Sequence, residues 1–134
     1  MKKLNVLGVA ILVMGVASSA KAQLEFGTTT LVTSSSGASA PTLSDSTAIN
    51  LWGIALSGSS PFWVSNEGSG IANVYTVDAA TGGTVSKSAT TMPTIPGNGS
   101  VTGEVNNGNS AAFNGAHFLF VSQDGTVSGW SSGR

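Results

Sequence analysis

The sequence predicts an all-β fold, and three observations carry that expectation. Beyond residue 22 the chain holds 16 Gly, 19 Ser and 14 Thr, so 49 of 112 residues are small or turn-forming. Such a composition suits short strands joined by many turns and suits helices poorly. The apolar runs, such as Leu51-Trp52-Gly53-Ile54-Ala55-Leu56, are short and end in Gly, Ser or Pro clusters, which is strand punctuation. A strand–turn–strand pattern also occurs twice, and an internal repeat of that kind is the signature of stacked β units.

The elements follow in chain order. Met1-Lys2-Lys3 is a basic start, Leu4 to Val16 is an apolar run, and Ala20-Lys21-Ala22 before Gln23 is a small-x-small cleavage pattern. Residues 1–22 therefore read as a secretory signal peptide cut after Ala22. The run of about 13 residues is short of the ~20 that a membrane span needs. The expected product is secreted or periplasmic, and the short Lys-Lys leader points to a bacterial source. The positive mean hydropathy of +0.23 partly reflects this leader.

Once the leader is removed, Lys87 and Arg134 stand against six carboxylates, a net charge of −4. Nucleic acid is an unsuitable partner for such a surface, because no cationic patch would displace counterions from phosphate. The chain has no cysteine, which excludes a disulfide scaffold and thiolate chemistry. Residues 23–48 form an N-terminal segment with one expected strand, around Thr28-Thr29-Thr30-Leu31-Val32-Thr33, which has no partner in the first unit.

Residues 49–92 read as one four-stranded antiparallel unit. Leu51 to Leu56 is a buried inner strand, Phe62 to Ser65 the second, Ile71 to Val77 the third, and Thr84 to Thr90 a polar outer fourth. Four antiparallel strands that grow more polar outward describe a propeller blade. The repeat appears when Phe62-Trp63-Val64-Ser65-Asn66-Glu67-Gly68 is laid on Leu119-Phe120-Val121-Ser122-Gln123-Asp124-Gly125, an offset of 57. Ile71 to Tyr75 then matches Thr126 to Trp130 once two residues are dropped at the turn.

Residues 93–134 form a second, truncated blade beginning near Val101-Thr102-Gly103, with Phe118 to Ser122 and Thr126 to Trp130 as its next strands. The expected architecture is a partial β-propeller of about two blades, the second incomplete. A blade buries its faces against its neighbours, so the chain is expected either to be a piece of a longer molecule or to assemble from several copies into a ring.

Taken together, Asn50-Leu51-Trp52-Gly53-Ile54-Ala55, Pro61-Phe62-Trp63-Val64-Ser65-Asn66, Thr94-Ile95-Pro96-Gly97 and Asp124-Gly125-Thr126-Val127-Ser128-Gly129-Trp130 resemble a group of exported bacterial proteins with NHL-like propeller architecture. The resemblance spans about residues 31 to 132. It implies a ring of about six blades and names no activity. Where the family tends to be apolar after Thr-Gly, this chain has Thr102-Gly103-Glu104-Val105-Asn106-Asn107, and the packing of the second blade turns on that difference.

Glu67 and Asp124 occupy equivalent positions under the 57-residue offset, so in a propeller they would lie on one face at successive angular steps. Carboxylates so placed could serve a calcium ion, which takes about six to eight oxygen ligands. The plainer reading is hairpin turn chemistry, since each precedes a glycine. Gly129-Trp130-Ser131-Ser132-Gly133 has the letters of a nucleophile elbow but lacks a following helix and later triad partners. His117 is the only histidine and has no identifiable catalytic partner.

Gly97, Gly99 and Gly103 fail the dinucleotide spacing and read as an inter-blade loop. Asn98-Gly99-Ser100 is a glycosylation sequon that a bacterial source would leave unused. Asn107-Gly108 and Asn114-Gly115 read as turn formers, and Trp52, Trp63, Tyr75 and Trp130 as inter-blade packing residues. No catalytic or cofactor-binding residue is thereby identified. The leading expectation is a binding or structural module for an unknown ligand or protein. The alternatives are part of a calcium-dependent propeller lactonase or hydrolase, and a self-assembling propeller that associates through exposed blade faces.

Overall fold

The computed structural model describes residues 27–58, 60–98 and 100–132. The expected signal peptide, residues 1–22, lies outside them. The described chain is all-β: β1 (Val32–Thr33), β2 (Leu43–Ser44), β3 (Leu51–Ala55), β4 (Phe62–Asn66), β5 (Ile71–Asp78), β6 (Thr84–Lys87), β7 (Val101–Asn106), β8 (Phe118–Ser122) and β9 (Val127–Trp130), with two single-turn 3-10 segments. Strands β3-β4-β5-β6 form one antiparallel sheet and β7-β8-β9 a second. Among the described residues no helix is long and apolar enough to cross a membrane.

The strand β1 is shorter than its β propensity suggested. It pairs in parallel with β2 of its own segment, which the sequence reading had not identified as a strand. The segment between the two sheets runs back along β5, with Thr94 bridging Ile71. There Ala72 N–H donates to the Pro93 carbonyl and Ile95 N–H to that of Gly70. Ile95 is thereby buried, and the glycines at 97 and 103 belong to the passage between sheets and to a strand.

The core lies where the sheets meet. Ala55, Trp63, Ala72 and Val74 of the first sheet face Val101, Phe118 and Phe120 of the second. The Trp63 ring stacks on Phe118 at 4.3 Å between centroids and lies 4.6 Å from Trp130. Gly53 permits the closest approach, because a Cβ there would come within 3.0 Å of the Glu104 backbone nitrogen and the Thr102 carbonyl oxygen. Strands β3 and β7 pack this closely because that side chain is missing.

Hydrogen-bond register corrects the repeat. Each sheet has a β-bulge at the same place in its first strand, between Leu51 and Gly53 and between Val101 and Gly103. Beyond it the ladders correspond pair for pair. Leu51 opposite Asn66 matches Val101 opposite Ser122, and Ile54 opposite Val64 matches Glu104 opposite Phe120. Phe62 opposite Tyr75 likewise matches Phe118 opposite Trp130. The second strands are thus offset by 56 residues rather than 57, so the counterpart of Trp63 is Leu119 and not Phe120. The turn of the second copy is one residue shorter rather than two, and the expected match of Tyr75 with Trp130 holds.

A one-residue slip in a strand exchanges its faces, so the correction changes how the sheets relate. Glu104, Phe118, Phe120 and Trp130 lie on the face of the second sheet that packs on the first. Their counterparts Ile54, Phe62, Val64 and Tyr75 lie on the face of the first sheet that points away from the second. Equivalent faces therefore point the same way, and the sheets stack back to front.

Leu51 to Leu56 is not the buried inner strand the sequence suggested. Leu51, Trp52, Ile54 and Leu56 are all exposed, Ile54 at 64%. Only Gly53 and Ala55 of this strand meet the second sheet, and the opposite side of β3 is uncovered.

Candidate functional site

The first sequence candidates, Glu67 and Asp124, are separated by the register. Glu67 N–H donates to the Asn50 carbonyl, as Gln123 N–H does to that of Ser100. Gln123, not Asp124, is therefore the counterpart of Glu67. The Glu67 carboxylate accepts from the Asn50 side-chain amide at 2.7 Å, which helps hold Asn50 at its positive φ of 51°. Asp124 is exposed, and its Oδ1 accepts from the Thr126 backbone N–H at 3.0 Å. That bond comes first in holding its pKa below the usual carboxylate range. Asp124 is thus occupied within its own turn and Glu67 in a contact with the residue before β3, and among the described residues no three His, Cys, Asp or Glu side chains group together.

The remaining sequence candidates fall into structural positions. His117 is exposed and borders the Trp130 ring edge-on at 6.3 Å between centroids, while its backbone N–H donates to the Trp130 carbonyl. The Asn107 amide ties together the long β7–β8 loop, donating to the carbonyls of Asn109, Ala112 and Ala116. Asn114 takes a left-handed conformation at φ 52°, in keeping with the turn role expected of it. Trp63 and Trp130 pack between the sheets as expected. Trp52 is exposed at 59% and Tyr75 belongs to a polar cluster, so neither of these two packs between the sheets.

That cluster was not read from the sequence. Asp45, in the loop after β2, receives the Tyr75 hydroxyl at 2.7 Å and the Lys87 ammonium at 2.9 Å, with the Asn73 amide and Thr47 alongside. Burial by itself would raise the Asp45 pKa. The bonds from Lys87, Tyr75 and Thr47 outweigh it and hold the carboxyl at about 2. Burial and the adjacent carboxylate raise the Tyr75 pKa. Lys87 is the only cation among the described residues. The signal in the sequence was that lysine, alternating with Val85 on an outer strand, but its partner lies 42 residues away and had no local mark.

A second missed group is Glu104, the residue that departs from the apolar pattern of the resembled family. Its side chain enters the space between the sheets, where Oε2 accepts the Ser65 hydroxyl at 2.9 Å and Oε1 is buried without a hydrogen-bond partner. Burial raises its pKa from 4.5 to about 7, against the opposing pull of Ser65 and the Ala55 backbone. Strand β7 nevertheless forms and packs, because Gly53 leaves room for this side chain.

One uncovered feature is apolar. The outward side of the first sheet holds an open depression of about 390 Å³ lined by Leu31, Val32, Leu51, Ile54, Phe62 and Val64 among others. The N-terminal segment borders it on the β5–β6 side and leaves β3 open. On the opposite end of the stack, Val105, Val121 and Val127 are exposed at 55%, 44% and 63%. A small chain seldom leaves two such faces to water without a partner for them.

The fold and this surface define an all-β chain of two antiparallel sheets, stacked back to front and apolar on both outer faces. No family model, no curated protein and no solved structure matches it.

Proposed function

We propose that the chain is a two-blade wedge of an exported β-propeller of the NHL-like kind, acting as a binding or structural module. The observation that supports this most is the back-to-front stacking: in a propeller each blade presents one face to the preceding blade and the other to the next. The bulges at matching places in β3 and β7, and the uncovered apolar face at each end, fit the same reading. Export rests on the leader sequence. The loops at the ends of a rigid stack are where a ligand would meet the module, and the mature net charge of −4 favours a neutral or cationic one.

A tandem fusion of three copies, carrying six sheets, tests the reading. A wedge is expected to close into a monodisperse ring that melts in one transition and binds no hydrophobic dye. Three independently melting units with dye-binding surfaces would contradict it. The calcium-hydrolase reading is the weaker one, since the Glu67 carboxylate accepts from Asn50 and that of Asp124 from Thr126, and the register does not make them counterparts.

A further inference from the structure

We infer that a second copy of this chain docks head to tail, the β3 side of one copy's first sheet packing on the outer face of the second sheet, β7-β8, of the next. This deepens the wedge reading and rests on the same stacking. The partner is identified by the repeat itself. The inner face of the first sheet and the outer face of the second are counterparts, as are the outer face of the first and the inner face of the second. The two uncovered faces are thus the same complementary pair that already packs inside the chain.

Two details point to that pairing. Inside the chain one contact between the sheets is polar on polar, the Glu104 carboxylate against the Ser65 hydroxyl. The counterpart of Glu104 is Ile54 and that of Ser65 is Val121, both exposed. Both partners change together, from a polar pair inside to an apolar pair outside, so either pairing is matched and a crossed pairing would bury a lone polar group.

The second detail is Gly103. Gly53 is crowded by β7, which lies on it, yet the counterpart Gly103 has only the Val121 Cβ, 3.9 Å away, near the position of a side chain, and its φ is not positive. Neither crowding nor backbone conformation within the chain demands a glycine there. A β3 strand from another copy, lying on Gly103 as β7 lies on Gly53, supplies the demand. The remaining contact follows the same rule, with Leu119 in the place of Trp63 and Phe62 in that of Phe118.

Head-to-tail docking joins two different faces, so each copy keeps one free end and assembly continues until a ring closes. The test uses the purified chain with Ile54→Asp and, separately, Val121→Asp, followed by sedimentation velocity and far-UV circular dichroism. The unsubstituted chain is expected to form larger species. Each variant alone is expected to be a folded monomer, its association weakened on the order of 100-fold. An equimolar mixture is expected to give a 1:1 dimer and nothing larger, because each variant retains the face the other has lost.

A monomeric unsubstituted chain, a variant that still associates alone, or a mixture that stays monomeric would each overturn the proposal. Should a variant lose its fold, Ile54→Ser and Val121→Ser replace the pair with the same expectations. Failure of the triple fusion to close while the mixture still dimerises would remove the ring and leave the face pairing intact. Closure of the fusion with no dimer in the mixture would do the reverse.

Discussion

Glu104 couples the stability of the fold to pH. Its pKa is raised to about 7 in the folded chain from 4.5, so the folded state binds its proton more tightly than the unfolded state does. The stability it contributes is complete below pH 4.5 and is lost as pH rises toward 7. Glu104→Gln is expected to remove that decline, read as urea midpoints across pH 4.5 to 7.5; a variant that keeps the decline would show that another group carries it. Asp45 has the opposite sign. With a pKa lowered to about 2 from 3.8, its contribution is present above pH 4 and is lost as pH falls through 2. Lys87→Met removes the ammonium and leaves Asp45 buried with fewer partners, and is expected to cost about 1–3 kcal/mol in a denaturant titration. Neither role was legible in the sequence: one carboxylate lay in a Ser-Thr loop, and the other stood out only as a charged residue where an apolar one was expected. Their importance comes from contacts 39 and 42 residues away along the chain.

At the scale of elements, the strands were legible because their boundaries are local. Gly-Ser-Ser-Pro ends β3, Gly82-Gly83 begins β6, and the aromatic and β-branched runs between turns gave β4, β5, β8 and β9 to within a residue or two. Register was not local. The match of Val64-Ser65 with Val121-Ser122 was persuasive as letters, but the bulge in β3 and β7 and a turn shorter by one residue set the pairing elsewhere. The resulting face exchange also undid the pairing of Glu67 with Asp124. The two strand glycines give a paired prediction. Gly53→Ala puts a methyl against the β7 backbone and is expected to destabilise by about 1–3 kcal/mol. Gly103→Ala meets no such obstacle and is expected to stabilise the isolated chain by about 0.5–1 kcal/mol while weakening association. Thermal melts of both at low concentration check this, and equal effects would contradict it. Trp63→Ala, which empties the stack on Phe118 and Trp130, is expected to cost about 3–5 kcal/mol in the same melts.

For the whole molecule, the same arrangement both holds the chain together and leaves an apolar surface uncovered at each end, since a stack of two must end in two unmatched faces. The chain lacks cysteine, so thiols placed by substitution report a single contact without background. The most direct measurement is therefore oxidative crosslinking of the double variant Ile54→Cys with Val121→Cys, compared with each single variant and with the internal counterpart pair, Ser65→Cys with Glu104→Cys. The account predicts a ladder of linked chains from the outer pair, one intramolecular bridge from the inner pair, and no product from Ile54→Cys alone or Val121→Cys alone. Dimers from a single variant, or an outer pair that stays unlinked while the inner pair closes, would contradict back-to-front stacking as the rule by which these sheets associate.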